Sequence, residues 1–230
     1  YNTLPQLLAL DTELRDAVSR PLLADDVTRL NAKLEQANGA SQSSTLTLID
    51  AQGTALAASN WRDPRSNVGV NYSFRPYVQQ ALARGRGDFY GIGLTTGEPG
   101  YFLSQAIEDP QGRVMGIIVI KIILTALERD WLETPDVVLV SDTHGVVFLA
   151  SRKEWHYRVL DSLSEAQRRE LRASRQYADQ PLLAARYEPL ERLETGGTMT
   201  RVLDPAVKGA VLWHTQFLSD KGWTCLLYTS

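Results

Sequence analysis

Apolar residues in the N-terminal stretch recur at three- and four-residue steps: Leu7, Leu10, Leu14, Ala17 and Val18, then Leu23, Val27, Leu30 and Leu34. That spacing gathers them on one face of a helix, so residues 1–44 are expected to form a long amphipathic helical stalk. Pro21 should break or kink it, Asn38 and Gly39 should stop it, and the polar run Ala40–Ser44 should lead out of it. A leucine stripe of this kind can pack on its own domain, with contact to a second copy also open to it.

Strand signals follow, and they repeat. The stretch LTLIDAQGTALAAS (Leu46 to Ser59) matches VLVSDTHGVVFLAS (Val138 to Ser151) in register, with Asp50 over Asp142, Gly53 over Gly145, Ala58 over Ala150 and Ser59 over Ser151. Each copy reads as strand, tight Asp-x-x-Gly turn, strand, because the Gly can take positive φ and the Asp can bond the backbone. The echo points to a duplicated module: residues 45–132 and 133–230, two related α+β domains in tandem. In the first, Tyr77, Val78, Ala81 and Leu82 predict a helix from near Ser73 to Gly85. Phe89–Ile92, Tyr101–Ile107 and Val114–Ile123 predict three more strands, giving an antiparallel sheet with a helix-covered face. TALERDWL reads as a short linking helix. In the second module a charged helix runs from Ser164 to about Arg175, with Ser164, Glu165 and Gln167 as its start signal. Strands at Ala210–Leu218 and Trp223–Tyr228 close the chain, Trp155 and Tyr157 read as core or interface aromatics, and LETGGTMTRVLDPAVKG reads as loop.

Composition narrows the function more by exclusion than by assignment. The 230 residues are 43% hydrophobic and 22% charged with a formal net charge of -3, and no block of one charge sign suggests nucleic acid. The longest apolar run, Met115–Ile120, ends at Lys121, well short of the roughly 20 residues of a membrane span. The abrupt start inside a leucine-rich segment predicts flanking segments. Cys225, the sole cysteine, forms no disulfide within the chain. His144, His156 and His214 have no metal-ligand spacing, and no Gly-x-Ser-x-Gly elbow, P-loop or His-Glu-x-x-His occurs. GIGLTTG is followed by Pro99 where a dinucleotide fold needs a helix. Neither an enzyme, a metal nor a cofactor is expected.

What remains is a set of groups suited to a small anion. Arg75 lies between Phe74 and Pro76, Lys121 interrupts an uncharged strand on the face of Ile117 and Val119, and Thr95, Thr96 and Gly97 form a hydroxyl-rich turn. A cation in apolar company needs a partner, because an unpaired buried charge is costly to desolvate. A surface arginine, a snorkelling lysine and a plain turn are the bland readings of the same residues.

At ASNWRDPRSNVGVNYSFRPYVQQAL, GLTTGEPGYFLSQAI and GIIVIKI the chain resembles the periplasmic sensor region of the DctB family, the C4-dicarboxylate sensor histidine kinases of bacterial two-component systems. The resemblance is most specific between Asn60 and Lys121, and the second module matches in layout only. It implies a tandem PAS-like (double Cache) ectodomain with a long N-terminal helix, a membrane-distal module binding succinate, fumarate or malate, and a smaller membrane-proximal module. It also implies a periplasmic location, a homodimer through the N-terminal helix, and transmembrane helices and a kinase lying outside this chain. By the same resemblance Arg75 is the carboxylate clamp, with Ser73 and Tyr77 as hydroxyl donors beside it. Thr95, Thr96 and Gly97 form the closing loop, Tyr101 lines the pocket, and Lys121 is the second anchor. A sensor of another small carboxylate or of an amino acid, a hydrolase, and a ligand-free interaction module are the alternatives.

Overall fold

The computed structural model describes residues 3–41, 45–133, 136–194, 196–203 and 209–229. The chain divides into two compact units, the first comprising Tyr1–Ile123 with Leu171–Ala178, the second Leu124–Glu170 with Asp179–Ser230.

The helical stalk is broken into three pieces: α1 (Thr3–Ala9), α2 (Thr12–Ala17) and α3 (Ala24–Ser41). Asp11 starts α2 by accepting from the backbone N–H groups of Glu13 and Leu14 at 3.0 and 3.1 Å. Pro21 lies in the second break, as its fixed φ and missing N–H require. Asp26 restarts the helix by accepting from Leu23 N and from Arg20. The breaks fold the stripe back on itself, so Leu14, Ala17, Leu30 and Leu34 are buried while Leu7, Leu10 and Leu23 stay exposed. The expected stop at Asn38–Gly39 is overrun: Gly39 does not take the left-handed conformation that terminates helices, and α3 continues to Ser41. Gln42, Ser43 and Ser44 of the expected polar connection lie outside the described residues.

The first unit holds a five-stranded antiparallel sheet built from β1 (Thr45–Asp50), β2 (Ala55–Ala58), β3 (Arg86–Ile92), β4 (Pro99–Glu108) and β5 (Val114–Ile122), in the order β2-β1-β5-β4-β3. Strand alternation splits β5 cleanly. Ile118 and Ile120 join Leu46, Leu48, Leu103 and the buried leucines of α2 and α3 on one face. Ile117 and Val119 join Ile49, Tyr72, Phe102 and the helix α4 (Pro76–Arg84) on the other. Pro76 opens α4 and Gly85, at φ +81, closes it, as the sequence implies.

The second unit repeats this plan with α5 (Thr125–Leu132), β6 (Val137–Ser141), β7 (Val147–Ala150), a 3₁₀ turn at Lys153–Trp155, α6 (Glu165–Ser174, its last turn counted with the first unit), β8 (Tyr187–Arg192), β9 (Thr198–Val202), β10 (Ala210–Leu218) and β11 (Trp223–Thr229). Its order, β7-β6-β11-β10-β9-β8, is that of the first sheet plus one edge strand. The sequence echo holds at the level of single bonds. Asp50 Oδ1 accepts from Gln52 N and Thr54 N, and Asp142 Oδ1 from His144 N and Val146 N. Ser59 Oγ accepts from Leu46 N at 2.9 Å, and Ser151 Oγ from Val138 N at 3.0 Å. The start of α6 is a reciprocal cap between Ser164 and Gln167.

The sequence reading of residues 193–209 as loop is corrected by β9, which pairs with β10 from Ala210↔Arg201 to Trp213↔Thr198. Its outer neighbour β8 contains Pro189 and is largely exposed, as an edge strand can be, so neither strand has the apolar alternation that would betray it. Residues 204–208 of that stretch lie outside the described residues.

Candidate functional site

The face of the first sheet that carries α4 encloses a cavity of about 20 Å³, room for one or two water molecules. Its polar lining consists of Thr45, Thr47, Asn67, Tyr72, Arg75, Tyr77, Thr95, Thr96 and Lys121, with no Asp or Glu. Alternation brings Thr45, Thr47 and Ile49 of β1 to this face, and the pairing of Thr45 and Phe102 with Lys121 puts the ammonium among them.

Of the residues singled out in the sequence, Arg75, Tyr77, Thr95, Thr96 and Lys121 meet around this cavity. Ser73 is exposed and bonded to Asn71 Oδ1 at 2.6 Å, and the neighbouring Tyr72 takes the cavity side instead. Tyr101 points to the opposite face of β4, where its hydroxyl donates to Asp88 Oδ2 at 2.6 Å. Gly97 holds φ +70 in the turn without lining the space. Thr45, Thr47, Asn67 and Tyr72 were not singled out. The period-two rule applied to β1, once Lys121 is placed on its face, is the signal that finds the two threonines.

Arg75, the residue preceding α4, is only 1% exposed. Nη1 donates to the Ser174 and Arg175 carbonyls, each at 2.9 Å, and Nη2 to the Ile92 carbonyl at 3.0 Å. Nε is buried and has no hydrogen-bond partner among the described residues. The guanidinium carbon lies 5.0 Å from the Phe89 ring centre and 5.6 Å from that of Phe102, contacts that favour a cation. Burial pulls Arg75 below the ordinary arginine value, partly offset by the nearby Tyr77 hydroxyl, although an arginine stays protonated in a protein. The Tyr72 hydroxyl makes no well-formed hydrogen bond, and burial pushes it up to about 12, with Thr95 close enough only to soften the effect.

Lys121 is 4% exposed, and its ammonium donates to Thr96 Oγ1 at 3.0 Å. The nearest carboxylate is that of half-exposed Glu98 at 3.9 Å. Burial lowers the Lys121 pKa, and Glu98 offsets part of the drop. Gly93 and Gly100 pack against this side chain: a methyl group on Gly100 would lie 2.6 Å from Lys121 Cε. Over the cavity runs the turn Gly93–Glu98, closed by Gly97 N to Gly93 O at 3.0 Å. Asn67 Oδ1 holds it by accepting from the Thr95 hydroxyl at 2.5 Å, while Arg65 donates to Thr96 O at 2.9 Å. Two buried cations, two orphaned polar atoms and an acid-free wall make a site with an excess of donors, the chemistry of an anion receptor.

Among the described residues the second unit shows no such set of cations and hydroxyls. By the repeat, Thr45 corresponds to Val137, whose strand partner is Tyr228, so Tyr228 takes the place that Lys121 has in the first sheet. Trp213, paired with Tyr228, takes the place of Phe102. With Trp155 and Tyr187 these rings form a cluster of edge-to-face contacts that fills the space. Among the described residues no group of three or more His, Cys, Asp or Glu is placed to hold a metal, and no helix is long and apolar enough to cross a membrane.

No family model matches the chain. It is similar to the C4-dicarboxylate transport sensor protein DctB of Rhizobium meliloti (strain 1021), with 32% identity over 202 residues, 88% of this chain and 32% of that protein. Similarity to the protein of the same name from Pseudomonas aeruginosa is also 32%, over 99% of this chain and 34% of that one. The chain thus spans about a third of the length of these relatives. Among solved structures, the sensor domain of the V. cholerae histidine kinase DctB superposes with a TM-score of 0.89 at 28% identity, covering 100% of this chain and 88% of that one. An α+β pair of tandem PAS-like modules, a donor-rich cavity in the first of them and this degree of likeness together identify the chain as a sensor domain of the DctB family.

Proposed function

We propose that the first unit is the receptor for a C4-dicarboxylate such as succinate, fumarate or malate. One carboxylate sits on Arg75 with Tyr72 and Tyr77 beside it, the other on Lys121 with Thr96. The observation that carries this reading is the pair of buried cations, Arg75 and Lys121, lining one cavity in whose wall no carboxylate stands. A diacid supplies both missing charges. An amino acid would set its ammonium against a wall of donors and cations, so the same lining speaks against that alternative. The name borne by the two relatives, a C4-dicarboxylate transport sensor, agrees with the chemistry.

A cavity of about 20 Å³ does not hold four carbons, so binding requires the Gly93–Glu98 turn to lift and then reclose. In the parent protein the first unit would be the membrane-distal module of a periplasmic sensor, dimerised through the N-terminal helices whose Leu7, Leu10 and Leu23 lie exposed. Ligand would bias that dimer between two states read by a kinase across the inner membrane, by no more than its differential affinity for them. Isothermal titration of the domain with succinate, fumarate, malate, butyrate, citrate and alanine tests the receptor assignment. Heat from the C4 diacids with weak or no response to the monoacid and the amino acid is expected; preference for alanine or citrate, or no binding at all, overturns it.

A further inference from the structure

Arg75 carries five N–H donors, and three are accounted for. Nη1 donates to the Ser174 and Arg175 carbonyls and Nη2 to the Ile92 carbonyl, while Nε has no hydrogen-bond partner among the described residues. The donors left over are Nε–H and one Nη2–H. Nε and Nη2 flank one edge of the planar group, an edge of the kind that grips a carboxylate by two parallel bonds, with the Tyr77 hydroxyl close by. The carbonyls contribute dipoles and fix the plane, but they do not neutralise the charge.

Two of those three carbonyls belong to Leu171–Ala178, a segment that packs with the first unit although the chain on both of its sides belongs to the second. The segment is firmly specified. Ile92 N donates to Gln176 O at 2.7 Å, Gln176 N to Leu171 O at 3.2 Å, and Tyr177 is 2% exposed. The Arg175 guanidinium lies over the Phe74 ring at 5.5 Å. Arg175 and Ala178 hold φ +49 and +48, a conformation that residues with a Cβ adopt only when their surroundings demand it.

We infer that Leu171–Ala178 is a positioning element of the anion site: the Ser174 and Arg175 carbonyls set the guanidinium of Arg75 so that its Nε–Nη2 edge receives a carboxylate, and an occupied edge in turn steadies the segment. This rests on the dicarboxylate reading above and names its regulation. The segment is continuous in sequence with the second unit at both ends, so occupancy of the cavity is felt at two covalent connections to that unit.

Hydrogen exchange followed by mass spectrometry on the domain, with and without saturating succinate, tests the inference, with calorimetry run alongside to establish binding. Amides of peptides covering residues 171–178 should exchange at least about fivefold more slowly with succinate bound. Arg175→Pro cannot adopt positive φ and should displace the Arg175 carbonyl, weakening succinate by about tenfold or more. Arg175→Gly suits the positive φ and keeps the carbonyl in place while losing the contact with Phe74, so it should weaken succinate much less than Arg175→Pro does. Binding without added protection of the segment, or equal affinity in folded Pro and Gly variants, overturns the inference while leaving the receptor assignment standing. If the Pro variant does not fold, the exchange result on the parent decides alone. A parent domain that gives no heat with any C4 diacid removes the dicarboxylate reading and this inference with it.

Discussion

Replacing Lys121 by methionine removes a charge while keeping the length and nearly the volume of the side chain, and its effects on stability and on affinity should have opposite signs. The ammonium is buried with one hydrogen bond, to Thr96 Oγ1 at 3.0 Å, and its nearest carboxylate is 3.9 Å away. Without ligand it therefore carries a desolvation cost that little compensates. Losing the one hydrogen bond costs about 1 kcal/mol, and relief from desolvation offsets it, so the empty Lys121→Met domain should melt at or above the parent temperature. With succinate the sign reverses. A charge-assisted bond to a carboxylate contributes about 1.5–3 kcal/mol, which is a Kd weaker by roughly 10- to 150-fold. At succinate about 100 times the parent Kd, the parent gains about 2.7 kcal/mol and the variant only about 0.3–1.4 kcal/mol. At about 2–4 °C per kcal/mol for a chain of this size, the succinate-induced shift should fall from about 5–10 °C to about 5 °C or less. A thermal-shift titration reads both effects in one series. A parent-like succinate shift in the variant, or an empty variant melting well below the parent, would show that Lys121 is not an anchor for the ligand.

Three further outcomes follow from the same geometry. Arg75→Met should abolish succinate binding and also destabilise the empty domain by at least about 3 kcal/mol in urea denaturation, because it strands the carbonyls of Ser174, Arg175 and Ile92. Gly100→Ala should weaken succinate and lower the melting temperature, since its methyl group would meet Lys121 Cε at 2.6 Å, Lys121 Cγ at 2.9 Å and the Ile122 carbonyl at 3.0 Å; calorimetry and a thermal melt check it. Burial lowers the Lys121 pKa from 10.5, so affinity should decline with rising pH before the ordinary lysine range is reached, the charged form being the one that binds. A bound carboxylate restores the proton, so titrations in two buffers of different ionisation heat should show net proton uptake on the alkaline side, and net release there would contradict the assignment.

How much of this was legible in the sequence varies with the range of the interaction involved. The duplicated hairpins were, because Asp50 and Asp142 bond within their own turns and Ser59 and Ser151 reach back 13 residues across the same short hairpin, leaving one pattern twice. Lys121 was, because a charge inside a β-branched strand fixes its own face once the neighbours alternate. Ser73 and Tyr101 show the limit: each is one residue from a side chain that lines the cavity, Tyr72 and Phe102, and in extended backbone one residue reverses direction. The partners of Arg75 were not legible at all. They are backbone carbonyls, two of them 99 and 100 residues away and the third 17, and a carbonyl has no letter in the sequence. The strand β9 was hidden for a related reason, its pairing being decided by β10 and not by its own composition.

The most direct measurement is a crystal structure of the domain grown with succinate. The diacid should lie inside the first unit, one carboxylate on the Nε–Nη2 edge of Arg75 and the other within hydrogen-bonding distance of Lys121 Nζ, with the Gly93–Glu98 turn closed over it. Succinate bound elsewhere, or the two cations unchanged and untouched at saturating ligand, would contradict that arrangement.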